Sequence, residues 1–555
     1  MPYPVTFFPT GKTVQVDSHT TLLQAAVQAG LLLDSPCGGG GTCAKCRVRI
    51  RSGHASTAGS SHRLSDQDLA DGWRLACGTE ITEPLVVEVP QTSLVPRIHN
   101  ILVDGDSSLL EHDPHAKGHL GVAIDLGTTS VAATLYDLHT GLERATNAVM
   151  NRQIRVGDDV ISRIAFARSA PANLAGLQAL AVASINEVIG ALCATCGENA
   201  ETIHKLTVAG NTAMQQILLG IDPSPLGEHP FTPAFTDAQT VAAITLGVLT
   251  HPEATLTVFP QIGGFVGGDT VAGLLASHFE ERVLPSMLVD IGTNGEIALQ
   301  QEGRILAAST AAGPAFEGAR IRQGMRATTG AIDHVWLKDG DIHCHIIGDA
   351  HACGLCGSAL VDAVAELLRV GLVAPDGLLA MPAIRPATLT DTFAARLMTS
   401  AKGNSFALAY DDAGVPSVVL TQQDIRELQL ASSAIRSGIE TLLNRAGLAA
   451  HMLDAILLAG GFGNYLRREN ALRIGLLPPL HDQSIRFIGN ASLTGAKLAL
   501  LAQSELSRAQ SLRSRTTHVD LATEPGFADL FMDHMLFPMS ETDGLFHLAQ
   551  DEGPR

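Results

Sequence analysis

The sequence predicts a multidomain α/β protein: a small N-terminal β-rich domain with four spaced cysteines, a short irregular linker, and a larger α/β part built from two related halves. Three observations predict it. The chain has 555 residues, far beyond a single hydrophobic core at roughly 150 residues per domain. Four of its nine cysteines fall between residues 37 and 77 in a spacing that the other five do not share. One turn, Asp-x-Gly-Thr between two apolar strands, occurs at Asp125 and again at Asp290, 165 residues later. A repeated strand–turn–strand is the mark of a duplicated unit facing one cleft.

The first domain spans 1–92. Its opening alternates VTFFP, TGK, TVQV, a strand, a Gly-containing turn and a second strand, which is a hairpin. The stretch SHTTLLQAAVQAG places Leu22, Leu23, Ala26 and Ala29 at helical spacing, with Ser and Thr before it and Gly30 after it as a C-cap. The cysteine loop follows, and PLVVEVP closes the domain. Residues 93–118 mix Pro, Gly, Asp and His without periodicity and read as the linker. From 119 the pattern becomes apolar strands broken by Gly/Thr turns, a first half over 119–284 and a second over 285–545. An amphipathic helix near PGFADLFMDHM ends the second half.

Composition narrows the function classes. With 46% hydrophobic residues, 17% charged residues and 54 glycines, the chain reads as a packed enzyme with many tight turns. A net charge of -19 repels nucleic-acid backbones and anionic membranes, so neither is an expected partner. The N-terminus MPYPVTFFPTGKTVQV has no basic segment followed by an apolar one, and no uncharged apolar run reaches the ~20 residues of a bilayer span. The expected location is the cytoplasm. The odd cysteine count, in the groups 37/43/46/77, 193/196 and 344/353/356, suits cluster or metal ligation in a reducing compartment better than disulfides.

The first group reads C-x5-C-x2-C-x30-C: Cys37, Cys43, Cys46 and Cys77. Three close thiolates can wrap one edge of a small cluster while a fourth arrives from a distant segment. Glycines 38–41 let the loop fold tightly, with backbone N–H groups aimed at sulfur. A zinc site or ordinary turn cysteines are the alternatives; zinc favours two paired knuckles, and Cys77 has no ligand-type neighbour. The segment resembles plant-type and vertebrate-type [2Fe-2S] ferredoxins, including the LLQAAVQAG helix and the LAC around the fourth cysteine. That resemblance, over residues 1 to about 92, implies a β-grasp domain holding a [2Fe-2S] cluster.

In the larger part, Asp125-Leu-Gly127-Thr128-Thr129 places a carboxylate at a strand end beside exposed N–H groups and two hydroxyls, which suits Mg2+-phosphate. Asp290-Ile-Gly292-Thr293-Asn294 offers the same from the other half, and ILLAGGFGNYL lets Gly460 and Gly461 lie flat against a nucleoside. Alone, each is an ordinary turn. In this order they resemble the phosphate 1, phosphate 2 and adenosine motifs of the ASKHA ATPases, the actin, Hsp70 and sugar kinase superfamily. The resemblance implies two RNase H-like halves around ATP and Mg2+, with Asp125 and Asp290 at the phosphates. It also gives Asp269 in VGGDT the water-orienting role and Glu317 in GPAFEGA a nucleotide contact. The plain alternatives are a helix N-cap for Asp269 and a surface salt link for Glu317.

Three further features tempt. Cys193 and Cys196 lie three apart in a helical apolar stretch and read as core. Asp349-Ala-His351-Ala-Cys-Gly354 matches a D-x-H-x-x-G cobalt loop, with Ser358-Ala-Leu360 too near to be its usual partner, and reads as coincidence. Cys353 and Cys356 precede the helical run SALVDAVAELL, where a helix dipole would favour thiolates, but turn and core positions explain them.

A ferredoxin joined to an ASKHA ATPase resembles the reductive activators of corrinoid enzymes. The motifs are SPCGGGGTCAKC, AIDLGTTS, VAGNTAM, GGFVGGDT, VDIGTNGEI, STAAGPAFEGARIRQGM, GLCGSAL, LLAGGFGNYL and FADLFMDHMLFP. The resemblance implies ATP-dependent reduction of Co(II) to Co(I) in a corrinoid protein or corrinoid-dependent methyltransferase, with electrons from an upstream reductase. Longer members carry an extra middle domain, whereas about 28 residues separate the domains here. A different low-potential partner, as for activators of 2-hydroxyacyl-CoA dehydratases, and a redox-sensing nucleotide-binding module are the alternative functions. The sequence leaves room for a homodimer.

Overall fold

The computed structural model describes residues 2–538, apart from 30, 32, 34–43, 58–63, 91–92, 94–111, 158, 319, 349, 382–390, 401–402, 461–465 and 481–483. Cys37, Cys43, glycines 38–41, Gly30, Asp349, Gly461 and most of the linker lie outside the described residues.

The N-terminal domain is built on β1 (Tyr3–Phe8), β2 (Lys12–Val16), α1 (Leu22–Gln28), β3 (Arg47–Ser52), β4 (Ala55–Thr57), α2 (Asp66–Ala70), β5 (Trp73–Leu75), β6 (Thr79–Ile81) and β7 (Leu85–Glu88). Five of these strands form one sheet in the order β2-β1-β7-β3-β5, and β4 pairs with β6. β1 is antiparallel to β2 and parallel to β7, the β-grasp arrangement. A capping box starts α1: the Thr21 hydroxyl accepts from Gln24 N–H while the Gln24 side chain accepts from Thr21 N–H. α1 then buries Leu22, Ala25 and Ala26 with Val5, Phe7, Val48 and Leu85, because period-2 strand residues and period-3.6 helix residues turn their apolar faces to one core.

Contact density divides the chain into two units, Met1–His278 with Asn490–Arg515, and Phe279–Gly489 with Thr516–Arg555. Within the first, β8 (Leu120–Leu126), β9 (Ser130–Asp137) and β10 (Leu142–Met150) run antiparallel. After α3 (Val160–Ser169) and α4 (Pro171–Cys196), β11 (Ile203–Gly210) pairs parallel with β8, leading into α5 (Thr212–Leu218). β12 (Gln239–Ala242) and β13 (Thr255–Val258) complete the order β10-β9-β8-β11-β13-β12, and α6 (Gly268–Ala276) follows. By length and composition α4 passes for a membrane span, although Glu187 interrupts its uncharged run. Its Leu177, Ile185, Val188, Ile189 and Leu192 instead fill the core against β9 and β10.

The second unit repeats the design. β14 (Ser286–Ile291), β15 (Gly295–Gln301) and β16 (Arg304–Thr310) run antiparallel. β17 (Ala331–Lys338), β18 (Asp341–Ile346) and β19 (Gly354–Leu355) form a side sheet before α7 (Gly357–Arg369). After α8 (Asp391–Ala395), β20 (Leu397–Ser400), β21 (Gly403–Tyr410) and β22 (Pro416–Thr421) form another, before α9 (Gln422–Ala446). β23 (Ala455–Ala459) pairs parallel with β14; α10 (Arg468–Arg473) and β24 (Ile485–Phe487) follow, β24 parallel to β23. The chain then returns to the first unit as α11 (Ala491–Leu501) and α12 (Gln503–Arg515), which pack on α6. It finishes in the second with β25 (Thr516–His518) beside β16 and α13 (Phe527–Asp533) on α9. Three antiparallel strands extended by parallel ones, twice, is the duplicated RNase H-like architecture of the ASKHA fold.

Candidate functional site

In the first unit the site grows from the end of β8. Asp125 is its penultimate residue, paired in register with Ala209 of β11, so its carboxylate stands where two parallel strands end. The turn to β9 needs Gly127, since a Cβ there would stand 2.8 Å from the Ser130 carbonyl oxygen. The turn is braced from behind. Asn151 Nδ2 donates to the Gly127 carbonyl at 2.8 Å, and Arg163, fully buried, donates to the carbonyls of Thr128 and Gly157 and to Gln153 Oε1. The Thr128 hydroxyl accepts from Asn211 Nδ2 at 3.0 Å, while Asn211 also caps α5.

Asp125 itself is gripped from far along the chain. Asn490 Nδ2 donates to one carboxylate oxygen at 2.9 Å and Ser492 Oγ to the other at 2.8 Å. Burial pushes the Asp125 carboxyl up, and these two hydrogen bonds pull it back. Asp269 lies in the first turn of α6, two residues after the cap position, which is Gly267. It is therefore not the N-cap; its carboxylate accepts from the Thr270 N–H at 2.8 Å. Burial, with the negative charge of Asp125 adding to it, pushes Asp269 up to about 7 against that hydrogen bond. α6 reaches this place because Gly267 and Gly268 have no side chains: Cβ atoms there would meet Thr212 N at 2.5 Å and Gln215 Nε2 at 2.3 Å.

In the second unit Asp290 is the penultimate residue of β14, and the turn Gly292–Asn294 closes on itself, Gly292 N–H donating to the Asn294 carbonyl at 3.0 Å. Thr293, nearly buried, donates its hydroxyl to Glu317 Oε1 at 2.7 Å, so Glu317 serves the turn from within the unit. Gly460, just past β23, holds φ +92 and lies directly on Asp290: a Cβ would stand 2.5 Å from Asp290 Oδ1. Only glycine fits both demands. Thr129 and Asn294 sit in their turns, partly exposed.

In the N-terminal domain two of the four cysteines are described. Cys46 is buried and precedes β3; Cys77 lies in the short 3-10 turn Ala76–Gly78. Ala76 N–H donates to the Cys46 carbonyl at 2.9 Å, which brings the third and fourth cysteine segments side by side. Two cysteine segments joined by a backbone hydrogen bond fit ligation of one small cluster.

Comparison with known proteins agrees with this layout. Residues 5–82 match the 2Fe-2S iron-sulfur cluster binding domain, 120–282 the RACo middle region, and 285–548 the C-terminal domain of RACo, the ASKHA domain. The corrinoid activation enzyme RamQ of Eubacterium limosum is 31% identical, over 94% of this chain and 97% of that protein. The chain belongs to the family of reductive activators of corrinoid proteins. A second relative, the [Co(II) methylated amine-specific corrinoid protein] reductase of Methanosarcina barkeri, is 25% identical over 78% of this chain and 76% of its own. The solved structure titled "Reductive activator for corrinoid,iron-sulfur protein" superposes with a TM-score of 0.69 at 28% identity, covering 98% of this chain and 99% of that one.

Those coverages leave no unmatched extra domain in the Eubacterium limosum relative or in that solved structure. The region matched as the family's middle region, 120–282, is the stretch that holds the first of the two repeated turns. The residues that sequence reasoning missed are Asn151, Arg163, Asn211, Asn490 and Ser492. Each acts through contacts with residues 24 to 367 positions away, and one sequence carries no signal for such pairs; only the N-cap pattern Asn490-Ala-Ser-Leu marked a helix start. Of the tempting cysteines, Cys193 is buried on α4 and Cys196 Sγ donates to the Leu192 carbonyl. Cys356 is the buried cap residue of α7 and its thiol is pushed up by burial; Cys353 is exposed with Sγ bonded to the His351 carbonyl.

Proposed function

We propose that this protein uses ATP to return a corrinoid protein or corrinoid-dependent methyltransferase from Co(II) to Co(I). The observation that carries the reading is the union in one chain of a ferredoxin-type cysteine set with two Asp-x-Gly-Thr turns on duplicated sheets. An electron carrier alone has no use for a nucleotide site, and an ATPase alone has none for the four cysteines.

Cys37, Cys43, Cys46 and Cys77 would hold the [2Fe-2S] cluster, which supplies one electron when bound, itself received from an upstream reductase. Asp125 and Asp290 would serve Mg2+, the turns Gly127–Thr129 and Gly292–Asn294 would offer N–H groups and hydroxyls to phosphate oxygens, and Gly460 and Gly461 are the residues that would take the nucleoside. Asp269, raised toward neutrality by its burial, accepts the proton of the attacking water. Hydrolysis does work only if the ATP and ADP states bind the partner differently, so the energy enters as differential affinity that makes cobalt easier to reduce. The balance is one electron: the reduced cluster is oxidised and Co(II) becomes Co(I). The proposed location is the cytoplasm, where thiols stay reduced.

The test is anaerobic spectroscopy of an oxidised corrinoid protein mixed with the reduced, cluster-loaded protein, with and without MgATP. Loss of the Co(II) band and rise of Co(I) only with MgATP is expected, together with ATP hydrolysis stimulated by the corrinoid protein. Equal reduction without ATP, or none with any corrinoid partner tried, overturns the reading.

A further inference from the structure

We propose that Asn490 and Ser492, at the start of α11, are positioning residues for the ATP reaction: they clasp the Asp125 carboxylate and set its orientation toward the metal–phosphate. The proposal rests on the ATP-hydrolysing reading above and adds to it two residues from outside every nucleotide-binding turn.

The geometry is specific. Asn490 Oδ1 accepts from Leu493 N–H at 2.8 Å as the cap of α11, which fixes which end of the amide is which and leaves Nδ2 to donate to Asp125 at 2.9 Å. Thr494 Oγ1 donates to the Asn490 carbonyl at 3.0 Å, holding the same turn. Ser492 is buried and donates to the second carboxylate oxygen at 2.8 Å. With one donor on each oxygen, the carboxylate plane cannot rotate.

Both donors are neutral. A Lys or Arg in their place would hold the carboxylate equally well but cancel its charge, and a carboxylate with no net charge is a poor partner for Mg2+. An amide and a hydroxyl orient it and leave its charge for the cation, the logic by which outer hydrogen bonds tune a metal ligand. α11 also fixes this carboxylate relative to Asp269. Gly495 lets α11 press on α6, where a Cβ would stand 2.1 Å from the Ala272 carbonyl oxygen, and α6 carries Asp269. One helix therefore registers Asp125 at its tip and Asp269 through its flank.

Asn490→Ser separates the roles, because serine caps a helix about as well as asparagine but is too short to reach Asp125; Ser492→Ala removes the other donor, and Ser492→Thr keeps the hydroxyl. In the full-length protein, unfolding temperature, MgATP binding and ATP turnover are read together against Mg2+ concentration. Each loss of a donor is expected to lower kcat about 10- to 100-fold, the scale for a misplaced reacting group, and to raise the Mg2+ needed for half-maximal rate, with Ser492→Thr close to wild type and folding retained throughout. Variants that lose stability while keeping wild-type kcat and Mg2+ dependence overturn the clasp, and so does a wild-type rate in Asn490→Ser. A wild-type protein that binds no MgATP overturns the ATP reading and the clasp with it, whereas normal wild-type turnover with unaffected variants overturns the clasp alone.

Discussion

The two Asp-x-Gly-Thr turns share a sequence pattern and a place at the end of the leading strand of a six-stranded sheet, yet they are braced by different chemistry. Around Asp125 the neighbours are polar side chains: Asn490 and Ser492 on its oxygens, Asn211 on Thr128, and a second carboxylate, Asp269, raised by burial and by the charge of Asp125. Beside Asp290, Gly460 brings its backbone close against the carboxylate, and Thr293 is tied to Glu317. A duplicated fold has thus specialised. The first copy sets two carboxylates together in a buried place that raises both toward protonation, and the second sets the backbone of Gly460 against its carboxylate.

Removing the distinctive group of the first copy should do most. Asp269→Asn is nearly isosteric and deletes the proton acceptor, so ATP turnover should fall about 100- to 1,000-fold, the usual scale for a general base, with MgATP affinity little changed. The pH profile supplies the sign. A group raised to about 7 is protonated and idle below that pH, so wild-type turnover should decline as pH drops through about 7 and the variant should lose that limb. A decline of the same shape in Asp269→Asn would assign the limb to another group.

The distinctive feature of the second copy is breakable by a single methyl. Gly460→Ala would push a Cβ toward Asp290 Oδ1 and Ile291 O, 2.5 and 2.7 Å away, at a φ of +92 that alanine rarely adopts. A cost of roughly 2–4 kcal/mol to the second unit is expected, seen as a lower unfolding temperature, with loss of MgATP binding. Electron transfer into the N-terminal domain should survive, since β1–β7 close their own core.

A milder probe is Thr293→Val, which keeps shape and removes the 2.7 Å hydrogen bond to Glu317. The loss of one partly buried hydrogen bond is worth about 1 kcal/mol, so KM for ATP should rise about fivefold with kcat nearly unchanged. A collapse of kcat instead would place Thr293 in the chemistry and erase the contrast between the two turns.

How far the sequence revealed this depended on how local each feature is. The hairpin of β1 and β2, the capped helix α1 and the three glycine turns are written in runs of six to a dozen residues, where turn chemistry and periodicity act directly. Asn490 and Ser492 were illegible because their partner lies 365 and 367 residues away, and Arg163 because a buried arginine on α3 looks like any surface arginine until the turn it supports is in place. Asp269 was legible as a residue but not in its local role: Asp before a helical run suggests a cap, while the backbone caps at Gly267. The apolar α4 shows the limit of composition, since a core helix and a membrane span share it, and its packing against β9 and β10 marks it as core.

The smallest expected effect lies at the opposite end of the first sheet and sharpens the contrast between its two ends. Carboxylates gather where β8 and β11 finish; imidazoles gather where they begin. His119 stacks on His204 at 3.7 Å and His204 on His251 at 4.1 Å, with Lys205, His115 and Asp113 close by. Burial first, then the neighbouring imidazoles, hold His119 below the usual histidine range, and burial with Lys205 does the same for His115. Rings so close cannot all take a proton cheaply. The sign follows: a histidine with a lowered folded-state value resists the proton that the unfolded chain accepts, so its contribution to stability is present above about pH 6.5 and is lost as pH falls. His204→Phe keeps an aromatic ring in the stack and removes an imidazole that helps hold His119 low. Its loss of the hydrogen bond to the Thr202 carbonyl lowers stability equally at every pH, so the informative quantity is the slope of unfolding temperature between about pH 8 and about pH 5.5. That slope should flatten by an amount equivalent to less than ~1 kcal/mol, since the stack is only partly shielded from water. An unchanged slope would move the acid sensitivity elsewhere, and Asp125 with Asp269 would then be the titrating groups of this sheet to test next.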